Sequence, residues 1–183
     1  MFRLASCLAA GLIGSLTLAS AVRAESAPAE MFTTITADQA ANLIRDIGYR
    51  AEVISPVSET IHRVRTRIGG REAHVLLYSC KPDKCLSMQI RTTYAKTDGY
   101  DLTVANDWNY NKRFLKVYLD DEENINADMD IMVLGGITAE TLKEYLNVFE
   151  DLTREIHTHF QSSRKAAAAQ PRASADTGQR RWR

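Results

Sequence analysis

The chain is short of cysteine and proline and has no surplus of charge. Three of its 183 residues are cysteine and four are proline, and basic and acidic residues are equal at 23 each. It has no Gly-x-Ser-x-Gly elbow and no phosphate-cradling glycine loop, so two common enzyme signatures are missing. His157 and His159 stand two apart rather than the four that a zinc helix needs, and they read as surface histidines. Only one stretch, residues 4–21, is long and apolar, and nothing after it approaches a bilayer span. No internal repeat is visible.

That one apolar run sits at the start. Arg3 precedes it, and Val22-Arg23-Ala24 follows with small side chains at the two positions a signal peptidase reads. Residues 1–24 are expected to be a signal peptide cut after Ala24, with an uncleaved anchor as the alternative. The mature chain is then periplasmic or secreted. Cleavage removes Cys7 and leaves Cys80 and Cys85, an even pair suited to a disulfide in an oxidising compartment. Their spacing is not Cys-x-x-Cys, and no histidine lies at ligand spacing, so neither a thioredoxin-type role nor a metal site is expected.

Charge is unevenly spread. From 163 to 183 there are six basic residues against one acid, Asp176, in a stretch poor in large apolar side chains. Such a composition cannot bury enough surface to order itself. The expected organisation is a linker at 25–31, one domain at 32–161 and a disordered basic tail at 162–183. With an acidic body and an export signal, the domain is not expected to bind nucleic acid.

Hydrophobic periodicity then supplies the elements. Thr36 and Gln39 form a capping box ahead of the stripe Leu43, Ile44 and Ile47, and Gly48 ends that helix. A short extended piece at 51–54 ends near Pro56. Residues 61–68 and 71–79 alternate about Gly69-Gly70, a hairpin turn signal, and 86–93 alternate again. A two-residue turn at Gly69-Gly70 pairs Val64 with Val75 and His62 with Leu77. A bridge from Cys80 to Cys85 pairs Leu77 with Met88 and Val75 with Ile90. Both constraints put Val64, Val75, Leu77, Met88 and Ile90 on one face, and a slip of one residue would turn that set outward. The bridge closes a short loop and contributes about 2 kcal/mol at most, so it acts locally on register.

A short helix is expected over 101–110, from the spacing of Tyr100, Val104 and Trp108. Leu115, Val117 and Leu119 form the inner face of a fourth strand, residues 121–123 a turn, and Ile125, Ala127, Met129 and Ile131 the inner face of a fifth. Thr138 caps a long final helix that buries Leu142, Leu146, Phe149, Leu152, Ile156 and Phe160. The expected fold class is α+β: a five-stranded antiparallel sheet with helices on one face, in the order α-β-β-β-α-β-β-α.

That order resembles a known family. Asp107-Trp108-Asn109 with Arg113-Phe114 behind it, the strand end Tyr118-Leu119-Asp120 and the helix start Gly135-Gly136-Ile137-Thr138 together resemble the YbjN family of sensory transduction regulators, from about residue 32 to residue 160. The resemblance implies a fold like that of type III secretion chaperones, a small protein-binding module, and a possible homodimer. It brings no catalytic residues and no cofactor. Asp107, Trp108, Asn109 and Arg113 read as core and backbone-capping residues rather than a ligand site.

The face opposite the core holds the best candidate for a partner site. Arg63, Arg65 and Arg67 alternate on one strand, and the register sets His74, Leu76, Tyr78, Gln89 and Arg91 beside them. Arginine and tyrosine are favoured at interfaces. A solvated face balanced by Glu72, opposite Arg67, is the plain alternative. Asp128 and Asp130 on the fifth strand read as an ordinary solvated strand face. The functional expectation is an exported, non-enzymatic, chaperone-like regulatory module that holds an unidentified protein or peptide on its arginine-rich face. The alternative is an envelope-associated protein whose basic tail binds anionic lipid or another polyanion.

Overall fold

A computed structural model describes residues 29–96 and 98–169. The expected signal peptide, and the basic tail from 170 onward, lie outside the described residues. A two-residue strand β1 (Met31–Phe32) leads into α1 (Ala37–Asp46). Four strands follow, β2 (Ala51–Ser58), β3 (Ile61–Ile68), β4 (Arg71–Tyr78) and β5 (Ser87–Tyr94). Then come α2 (Leu102–Asn111), β6 (Lys116–Leu119), β7 (Ile125–Met132), β8 (Ile137–Thr138) and α3 (Ala139–Ala169).

The main sheet has six strands, in the order β2-β3-β4-β5-β7-β6, and not the expected five. All five neighbouring pairs are antiparallel. The extra strand is β2, which runs through Pro56 to Ser58 instead of ending there. Proline cannot donate to a ladder, but β2 is an edge strand, and its pairing with β3 shifts between Ile54 and Ser58, where the proline falls. A separate ribbon pairs Met31 with Thr138 and Phe32 with Ile137, tying the start of the domain to the start of α3. Gly136 makes this possible. It has φ +112°, and a Cβ there would collide with the Met31 side chain.

The predicted register is the observed one. Val64 pairs with Val75, His62 with Leu77, Leu77 with Met88 and Val75 with Ile90. Gly69 and Gly70 both have positive φ, which the tight turn requires. Cys80 and Cys85 form the expected disulfide. Val64, Val75, Leu77, Met88 and Ile90 are all buried, in one cluster with the apolar faces of α1, α2 and α3. The helices therefore cover one side of the sheet.

Both predicted N-caps, Thr36 and Thr138, are observed. Thr36 and Gln39 make a full capping box, and Thr138 Oγ1 accepts from the Thr141 N–H at 3.1 Å. The last helix also outruns its expected end: α3 continues past Gln161 to Ala169, so the expected tail begins inside a helix. Its run of alanines after Lys165 consists of the strongest helix former. His159 also departs from expectation. It is partly buried, with its ring 5.6 Å from Trp108 and 6.1 Å from Tyr100, whereas His157 is exposed.

The knot around Trp108 has a definite task. Trp108 is buried, and its indole N–H donates to the Leu115 carbonyl at 3.0 Å. Asn109 Nδ2 donates to the Val117 carbonyl at 2.8 Å, and Asn109 Oδ1 accepts from the Val117 N–H at 2.9 Å. One amide side chain thus imitates a neighbouring strand along the outer edge of β6. Asn109→Leu should leave both Val117 groups without these partners and cost about 1–3 kcal/mol in urea unfolding. Asn109→Asp, which keeps the acceptor only, should cost less than Asn109→Leu.

Candidate functional site

The outer face is built by register. β3 presents Arg63, Arg65 and Arg67 because their neighbours Val64, Thr66 and Ile68 point inward and are buried. Pairing then runs rows of side chains across the sheet. One row is Glu52, Arg65, His74, Arg91, Asp128 and Lys116. The next is Arg63, Leu76, Gln89 and Asp130. The eight residues expected to form a partner surface therefore do lie together, but they are not equally available. Arg65 and Arg67 are exposed, and Arg63, His74, Tyr78 and Arg91 are half-buried. Leu76 and Gln89 are each only 8% exposed, so they form the floor of the face rather than its contact surface.

Asp128 is the largest departure from expectation. Polar-out alternation predicts a solvated strand residue, yet Asp128 is 1% exposed. Arg91 covers it with two parallel bonds, Nε to Oδ1 at 2.8 Å and an Nη to Oδ2 at 2.7 Å. Such a fork is the strongest form of a charge-assisted pair. The Tyr118 hydroxyl donates to Oδ2 at 3.1 Å, and the Lys116 ammonium stands 3.9 Å from the same oxygen. Gln89 extends the network: it donates to Asp130 at 2.6 Å and accepts from Arg91 at 2.9 Å and from the Tyr78 hydroxyl at 3.2 Å. Hydrogen bonding to the Asp128 carboxylate, which accepts from it, raises the Arg91 pKa above its ordinary range, against the opposing effect of burial.

The remaining cations divide. Arg65 pairs with Glu52 at 2.6 Å, both exposed, and such a pair adds little stability. Arg67 donates to the Gly70 carbonyl at 2.6 Å. Arg63 Nε is buried with no hydrogen-bond partner among the described residues, and so is His74 Nδ1. On its other side His74 Nε2 lies 3.3 Å from Glu72. Burial first, and then the Arg63 guanidinium, lower the His74 pKa below 6.5, with Arg65 and Arg91 adding to the effect and Glu72 opposing it.

One residue that spacing rules overlooked is His62. The register sets it opposite Leu77, and its ring lies beside the disulfide: His62, Cys80 and Cys85 have donor atoms within 4.8 Å of one another. The expectation that no histidine stands near the cysteines is therefore corrected. The signal was present in the strand register, not in the sequence separation.

With this geometry in hand, the comparisons with known proteins decide the family. A match to the YbjN family, described as "Putative bacterial sensory transduction regulator", spans residues 36–162. The chain belongs to the YbjN family. The family is described as regulatory and is not a known enzyme family, which fits a regulatory or protein-binding role. No curated protein matches the chain.

Two tests follow from this network. Asp128→Ala would leave Arg91 without its carboxylate. Loss of one partner from a buried pair costs about 3–5 kcal/mol; Arg91 is one-third exposed, so about 2–3 kcal/mol is expected in urea unfolding. His74 gives a pH dependence. With its folded pKa lowered, the unfolded chain takes up this proton first as pH falls. Its contribution is complete above about 6.5 and is lost progressively below that value. His74→Gln should therefore flatten the fall in thermal midpoint between about pH 7 and pH 5, and an unchanged profile would dismiss His74 as its source.

Proposed function

We propose that this YbjN domain is an exported protein-binding module that docks an acidic segment of another protein or peptide against Arg63, Arg65 and Arg67. The observation carrying the reading is the division of labour on the outer face. Arg91, Asp128, Gln89, Asp130, Tyr78 and Tyr118 bond to one another and make a stiff floor. Arg63 has a buried donor with no partner among the described residues, and Arg65 and Arg67 are exposed beside it. Preset cations on a rigid sheet lose little entropy when a carboxylate arrives. Arginine also suits planar, two-point carboxylate recognition. Export rests on the character of residues 1–24, with cleavage following Ala24.

The test uses the mature chain and an array of acidic peptides. Changing Arg63, Arg65 and Arg67 together to Ser should weaken binding at least about tenfold, or about 1.4 kcal/mol, with circular dichroism unchanged. Added salt should weaken the wild type in the same direction. Equal binding by the triple variant would reject the site. Binding that is lost instead on deleting 170–183 would move the activity to the basic segment and to polyanions.

A further inference from the structure

We propose that His62, Cys80 and Cys85 form a metal site when the disulfide is reduced, taking a thiophilic divalent cation of the zinc class. Three observations carry this. The ring nitrogen and both sulfurs already lie within 4.8 Å of one another. In a tetrahedral zinc site, ligand atoms at bond lengths of about 2.0–2.3 Å stand about 3.5–3.8 Å apart. Once the disulfide is reduced, the two sulfurs are free to part toward that separation.

Second, the backbone around both cysteines is held without the sulfur link. Cys85 exchanges both of its main-chain hydrogen bonds with Ile35, at 2.9 and 3.1 Å. The Cys80 N–H reaches the Thr60 carbonyl at 3.3 Å, and the Lys81 N–H reaches the Lys84 carbonyl at 3.0 Å. Breaking the disulfide therefore leaves these backbone anchors in place beside His62. Third, the three ligands are of the type that a zinc-class cation takes. Cys80 and Cys85 are buried while His62 is half-buried, so the sulfurs are shielded from solvent.

The chemistry balances with an external dithiol as reductant. It gives two electrons and two protons to the disulfide and leaves as its own disulfide. The two protein thiols then release their protons to solvent as the cation binds, and neutral His62 supplies a ring nitrogen. Two thiolates cancel the charge of the dication. A fourth position remains for water or for a side chain of a partner. The turn between β4 and β5 would then carry one of two alternative clasps, sulfur to sulfur or sulfur to metal.

The experiment uses the full chain, reduced anaerobically with a phosphine, with zinc as probe and a chromogenic chelator as competitor. Cobalt(II) in place of zinc reports thiolate ligation through its sulfur-to-metal absorption. The expected result is one zinc per reduced chain and none on the oxidised chain, with a raised thermal midpoint for the reduced form. His62→Gln, with unchanged circular dichroism when oxidised, should bind at least about tenfold more weakly. Equal affinity in His62→Gln, or no zinc uptake on reduction, would overturn the site. So would a reduced chain that loses its sheet and does not regain it with zinc.

Discussion

The pairing of β3, β4 and β5 at one register governs everything else in this molecule. Period-two alternation means that a shift by one residue exchanges the faces of a strand. Held in place, Val64, Val75, Leu77, Met88 and Ile90 lie under the helices, and the arginines lie on the opposite side. Two short closures enforce it, the Gly69-Gly70 turn and the disulfide. The next pair, β5 with β7, has no short connection, because α2 and β6 intervene in the chain. There the outer face itself acts. Arg91 stands opposite Asp128 and Gln89 opposite Asp130, and both pairs are bonded. A slip of β7 by one residue would turn the Asp128 carboxylate into the apolar core. The charge pair thus disciplines a distant pairing that local turn chemistry does not reach.

What was legible in the sequence follows the same division. Turns and local alternation disclosed the β3–β5 register, the caps at Thr36 and Thr138 and the α+β class, because each depends on residues close in the chain. The second half of β2 was hidden because Pro56 reads as a terminator, and only an edge position relaxes that rule. Asp128 was misread because polar-out alternation treats an acid as solvated, while its cover, Arg91, comes from another strand. The end of α3 was lost because a tract rich in alanine was judged on its lack of bulk rather than on its helix propensity. His62 shows the cost of reading ligands by spacing alone, since strand pairing brings it to the cysteines.

Membership in the YbjN family and the anatomy of the sheet point the same way. One side of the sheet is devoted to stability, with α1, α2 and α3 packed against it. The other combines a self-bonded polar floor with cations at its margin. A face of this kind changes little when its occupant arrives. For the acidic guest proposed above, the ordering cost would fall on the guest and not on the domain.

Asn109 closes one margin of the sheet. By occupying the Val117 amide and carbonyl, it stops β6 at its centre from accepting a further strand. The opposite margin, β2, is the other end of the order and carries its own obstacles: Pro56 has no N–H to offer, the pairing shifts between Ile54 and Ser58, and Arg45 Nε donates to the Ala51 carbonyl at 3.0 Å. Lateral growth of the sheet is therefore discouraged at both margins.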